Sequence, residues 1–142
     1  MQMNKRLTPY NHNEGTADRI KYIVIHYVGA TGGAKANCQW YARADRRASA
    51  HYYVDFDGSV WQSVEDNNIA WHCGAKKYVH PECRNANSIG IEMCVRNKGS
   101  KSDTSIRSLW TYIEGMDGLS LHFTATNSSD LAAWARFGTS TL

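Results

Sequence analysis

A chain of 142 residues can bury one real hydrophobic core and is too short for two ordinary domains. Hydrophobic residues make up 42% and charged residues 20%, a soluble globular composition, and no stretch approaches the roughly 20 consecutive apolar residues of a membrane-spanning helix. The net charge of +3 is compatible with a polyanionic partner but too weak to argue for nucleic acid, and no basic run or nucleic-acid motif supports one.

Residues 1–19 are polar and predict an irregular arm. They lack the apolar middle of a signal peptide, so the chain is expected to be made in the cytoplasm and to reach any outside target after release or by another export route. Residues 20–142 read as a single domain. Its first element, Ile20 to Val28 (IKYIVIHYV), is apolar enough for a buried central strand. Alternation puts Ile20, Tyr22, Val24, His26 and Val28 on one face and Ile23 and Ile25 on the other. His26, just before the Gly-containing stretch Gly29 to Gly33, is either a satisfied core histidine or a ligand at a strand end.

Ala34 to Asp45 carries helical spacing and predicts a short amphipathic helix covering one sheet face. Ser49 to Val54 and Ser59 to Val64 read as short strands, joined by the turn Asp55-Phe56-Asp57-Gly58. His51 lies in an aromatic setting (SAHYY), as does His72 (IAWHC), and each alone reads as a surface or groove histidine. Trp61 and Trp71 could offer flat platforms to a sugar or peptide, or pack in the core. The long loop from Ile69 to Cys83 contains His72, Cys73, His80 and Cys83, the ligand types of a tetrahedral zinc site. Adjacent His72 and Cys73 are not expected to reach one ion easily, and a Cys73–Cys83 disulfide or a plain thiol-containing substrate loop are the other readings. The four cysteines (38, 73, 83 and 94) are expected as free thiols in a chain without a signal peptide.

Asn87 to Val95 (NSIGIEMCV) is a second buried strand. Ile89, Ile91, Met93 and Val95 share one face, and Gly90, Glu92 and Cys94 share the other. Glu92 is costly to ionise there unless its face is solvated or a cation or donor compensates it. Such a carboxylate, facing an activated water, would suit a general base. Further on, Asp103 or Ser105 could cap a helix to Glu114, and Leu119 to Thr126 alternates as a strand carrying His122. Asn127 to Asp130 then resembles a helix cap before Leu131 to Phe137, with Gly138 as a stop.

Taken in order, IKYIVIHYV, SAHYYVDFDGSVWQ, IAWHCGA and NANSIGIEMC resemble the type 2 N-acetylmuramoyl-L-alanine amidases, the zinc amidases of phage endolysins and bacterial autolysins, with peptidoglycan-recognition folds as relatives. The resemblance covers residues 20–96, leaving 97–142 divergent. It implies an α/β fold with a mixed central β-sheet flanked by helices and a zinc groove on one face. It implies hydrolysis of the amide joining N-acetylmuramic acid to L-alanine, with peptidoglycan as partner and Zn2+ as cofactor; a monomer is the expected working unit. His26 would match the family's first zinc ligand and Glu92 the carboxylate that positions or deprotonates the attacking water. His51, Trp71 and His72 would lie along the groove wall against substrate. The family's later ligands, a histidine after a strand and a Lys-x-Cys-Pro-like segment, have no counterpart after residue 96. His122 is the one candidate second ligand, and Asp130 reads as an oxygen ligand or a helix cap. The alternative function is a non-catalytic peptidoglycan binder, or a truncated or frameshifted amidase lacking a complete zinc site.

Overall fold

The computed structural model describes residues 3–74, 81–96, 119–127 and 130–137, the last two segments as backbone. In chain order these form β1 (Met3–Lys5), β2 (His12–Asn13), β3 (Tyr22–Thr31), α1 (Ala34–Tyr41), β4 (Tyr52–Val54), β5 (Val60–Gln62), β6 (Ile69–Ala70), β7 (Ser88–Val95), β8 (Leu119–Asn127) and β9 (Asp130–Phe137). Seven strands make one mixed sheet in the order β1-β5-β4-β7-β3-β9-β8, and β2 and β6 form a separate antiparallel pair. The expected α/β class holds, and no helix among the described residues is long and apolar enough to cross a membrane.

β3 and β7 are the parallel centre of the sheet. Their near-continuous apolar sequence is what a strand covered on both faces requires. On one face Ile23, Ile25, Ile89, Ile91 and Met93 join Val54 of β4 in a single core cluster. The opposite face is covered in two places. α1 packs Ala34 and Cys38 over Val28, Tyr53 and Cys94, while Cys73 and Cys83 pack against Tyr22 and Val24. The gap between these two covers is where His26 and Glu92 emerge.

α1 is held over its patch by the β4–β5 turn. Its N-cap, Gly33, offers no side chain, so the first free amide is satisfied from outside: Ala34 N–H donates to Asp55 Oδ2 at 2.7 Å. A Cβ on Gly33 would lie 2.8 Å from that oxygen, so only glycine leaves room for the cap. The Asp-Gly turn forms as expected, with Gly58 at φ 81 and Asp55 N–H bonded to Ser59 O at 2.8 Å.

Three expectations change. The arm is not irregular: β1 pairs in parallel with β5, Arg6 and Thr8 continue the ladder onto Gln62 and Ser63, and β2 pairs with β6. The helix predicted to Asp45 ends at Tyr41, followed by a separate 3-10 turn over Ala44–Arg46. Leu131 to Phe137, predicted helical, is strand β9, bonded on one side to β3 and on the other to β8. Its alanines favour a helix locally, but a segment with ladder partners on both sides satisfies its backbone without one. The helix predicted from Asp103 or Ser105 to Glu114 lies outside the described residues.

Candidate active site

Strand register builds the site. His26 is the direct partner of Glu92, and Glu92 is the direct partner of Tyr53. Directly opposed residues on neighbouring strands, about 4.8 Å apart, project from the same sheet face. His26, Glu92 and Tyr53 therefore form a row across three strands, with His26 and Glu92 in the gap between the two covers and Tyr53 beneath α1. Glu92 Oε2 is shut off from solvent and has no hydrogen-bond partner among the described residues. Burial pushes its carboxyl up to about 7. Tyr41 and Tyr53 stack with ring centroids 5.9 Å apart, and the Glu92 charge adds to burial in raising both phenols. The arrangement keeps one carboxyl able to take or release a proton near neutral pH.

His72 completes the row from the segment after β6. Its ring occupies the notch at Gly90, where a Cβ would come within 2.4 Å of His72 Cγ. His72 Nδ1 lies 3.1 Å from His26 Nε2 and 3.2 Å from Cys73 Sγ, and the three donor atoms all lie within 4.8 Å of one another. The expectation that adjacent His72 and Cys73 could not readily reach one point is overturned. Asn85 Oδ1 accepts both of their backbone N–H groups, at 3.0 and 2.6 Å, and bends the chain so that both side chains converge. Burial, and then the neighbouring His26 and His51, hold the His72 imidazole well below its usual pKa, which keeps it neutral. Donors around a tetrahedral zinc sit about 3.3 to 3.8 Å apart, so the two imidazoles and the sulfur come close to the spacing of that ion; the hydrogen bond with Cys83 and burial push the Cys73 thiol up, so an ion would have to displace its proton. The nitrogen and sulfur set suits zinc rather than oxygen-seeking magnesium or calcium.

The remaining predicted residues fall in different places. His51 stands beside His72, with ring centroids 5.8 Å apart. It is fully buried, its Nδ1 accepts Gly90 N–H at 3.0 Å, and its Nε2 lies 3.0 Å from Asn68 O. Burial drives it down to about 4. With both nitrogens committed to backbone, it braces β7 at Gly90. Trp71 is half-buried, with its indole N–H donated to Asn13 Oδ1 at 2.7 Å. His122 stands on β8 opposite Trp134, which stands opposite Val24, so its backbone is two strands away from β3. The side chains of His122 and Asp130, and all of His80, lie outside the described residues. Reading the sequence placed Gly90 on the face of Glu92 without giving it a role, and overlooked Ser88 on the same face. It also missed Asn85.

Comparison with known proteins points to one family. Residues 16–116 match the family model described as N-acetylmuramoyl-L-alanine amidase, twenty residues beyond the point where the motif resemblance stops. A probable N-acetylmuramoyl-L-alanine amidase of Bacillus licheniformis is 31% identical over 82% of this chain and 38% of its own length. The N-acetylmuramoyl-L-alanine amidase AmiD of Escherichia coli is 29% identical over 63% of this chain and 33% of its own length. The chain thus spans little more than a third of these relatives. The solved catalytic domain of XlyA is similar at a TM-score of 0.60 and 26% identity, covering 80% of this chain and 74% of that one.

Proposed function

Because this chain belongs to the N-acetylmuramoyl-L-alanine amidase family, we propose that it hydrolyses the amide between N-acetylmuramic acid and the L-alanine of the peptidoglycan stem, with zinc as cofactor. The observation that carries this reading is the strand register that sets His26 directly beside Glu92, whose inner oxygen has no hydrogen-bond partner among the described residues. His26, His72 and Cys73 would hold the ion, a set that differs from the His26 and His122 pair the motifs alone suggested. Bound zinc supplies water activation at neutral pH and Lewis-acid polarisation of the amide carbonyl. Glu92 accepts the proton of the attacking water and returns it to the departing amino group of L-alanine, which a carboxyl poised near 7 can do in both directions. Tyr53 and Tyr41 wall the carboxyl off from bulk water on the α1 side. Trp71, half-buried beside His72 in sequence, is the aromatic surface available to a sugar ring or stem peptide.

The test is chemical. Purified walls incubated with the zinc-loaded protein should gain new N-terminal alanine without new reducing sugar ends, and a chelator should stop the release. His26→Ala should abolish it. Wall binding without any release of alanine would assign the chain as a binder instead.

A further inference from the structure

We propose that Ser88 is the positioning residue of this centre: it holds His72 as the Nε2–H tautomer, so that the Nδ1 lone pair faces the point shared with His26 and Cys73. The purpose of that arrangement rests on the zinc reading above, but the assignment itself follows from hydrogen-bond bookkeeping in the chain. Ser88 is fully buried. Its hydroxyl donates to Arg84 O at 2.7 Å, and a carbonyl can only accept, so the single hydroxyl hydrogen is used there. Ser88 Oγ then has only lone pairs to offer His72 Nε2, 3.1 Å away. That nitrogen must carry the ring hydrogen. A neutral imidazole has one N–H, so Nδ1 is left as a lone pair.

The surroundings hold both partners of this bond in place. Arg84 O also receives Asn87 N–H at 3.2 Å, and Asn87 Oδ1 receives Arg84 N–H at 2.8 Å. The Ser88 carbonyl is gripped by Arg19 Nη1 at 3.1 Å. On the ring side, the Gly90 notch seats the imidazole between Ser88 and Glu92, which sit two positions to either side along one strand face. The geometry matches the general pattern in which a metal-binding histidine gives its far N–H to an oxygen that sets its tautomer. Without the hydroxyl, Nε2–H would be left with only the Ser88 backbone as acceptor, a carbonyl that Arg19 already occupies. The proton would then favour Nδ1, where His26 Nε2 stands 3.1 Å away to receive it. The lone pair aimed at the cluster would be lost.

The experiment uses the full chain labelled with nitrogen-15 and freed of metal. Long-range proton–nitrogen correlation of the imidazoles reads the tautomer of His72, with His72→Gln identifying its signals. Zinc affinity is measured separately by chelator competition. The parent should show the Nε2–H form. Ser88→Ala should populate Nδ1–H and bind zinc about 10- to 100-fold more weakly. Ser88→Thr, which restores a hydroxyl, should recover both. A parent in the Nδ1–H form, or a Ser88→Ala variant with the parent's tautomer and affinity, would overturn the proposal. If Ser88→Ala does not fold, the parent and Ser88→Thr spectra still decide it. A parent with the expected tautomer but no zinc binding would support Ser88 while removing the cofactor reading.

Discussion

Glu92 sits where a carboxylate is least comfortable, between Ile91 and Met93 in a central strand, and this discomfort has a measurable sign. The folded chain binds the carboxyl proton more tightly than the unfolded chain, because burial raises its pKa to about 7. The resulting stability is fully present below the ordinary carboxylate pKa and is lost as pH rises through about 7. Between about pH 5 and about pH 8 the metal-free parent should therefore lose about 2–3 kcal/mol relative to Glu92→Gln, by the scale of 1.36 kcal/mol per pKa unit. Urea titrations of both proteins at the two pH values test this, and a constant difference would show that the carboxyl is solvated. The same substitution should cost the zinc-loaded protein about 100-fold or more in amide hydrolysis, as expected for loss of a general base. His26 and Glu92 were legible from sequence because each interrupts an apolar alternation. Cys73 was weighed with His72, His80 and Cys83 as a zinc set but not placed beside His26, because its convergence with His72 depends on the Asn85 side chain accepting two consecutive amides. No spacing rule reports such a contact.

At the scale of elements, two positions decide whether the cleft keeps its walls. Asp55 caps α1 from a turn that lies between two other elements, so its loss loosens the helix over Val28, Tyr53 and Cys94. Asp55→Ala should destabilise the chain by about 1 kcal/mol, the usual cost of a lost N-cap, read as a lowered urea midpoint with unchanged slope. Gly90→Ala should cost more, about 1–3 kcal/mol, because the new methyl group would lie 2.4 Å from His72 Cγ and the ring or the strand must shift to admit it. It should also weaken zinc binding, whereas Asp55→Ala should leave zinc binding intact. Local pattern described β3, β7 and the β4–β5 turn well because their cues are local. It failed for β9, where an alanine-rich segment is claimed by two neighbouring strands, and for the arm, whose β1 gains its order from β5 some 55 positions later, as in the pairing of Met3 with Val60. Long-range pairing of this kind leaves little trace in a segment's own residues.

Across the whole molecule, the proposed ion would cross-link the central strand to the segment that covers it. His26 belongs to β3, while His72 and Cys73 belong to the stretch between β6 and β7 that packs on Tyr22 and Val24. In the unfolded chain these ligands are separated by 46 positions, so no comparable site exists and zinc should bind the folded state preferentially. At a thousandfold excess over its dissociation constant, an ion that binds only the folded state contributes about 4.1 kcal/mol. For a chain of this size that corresponds to a rise of about 10 °C in Tm. The rise should vanish with chelator, and His26→Ala, His72→Ala and Cys73→Ala should each remove most of it, since each leaves only two of the three donors. His122→Ala should keep it, because the proposed set does not include His122. A full rise in His72→Ala together with none in His122→Ala would move the ion to the β8 side of β3 and restore the pairing of ligands that the motifs alone suggested.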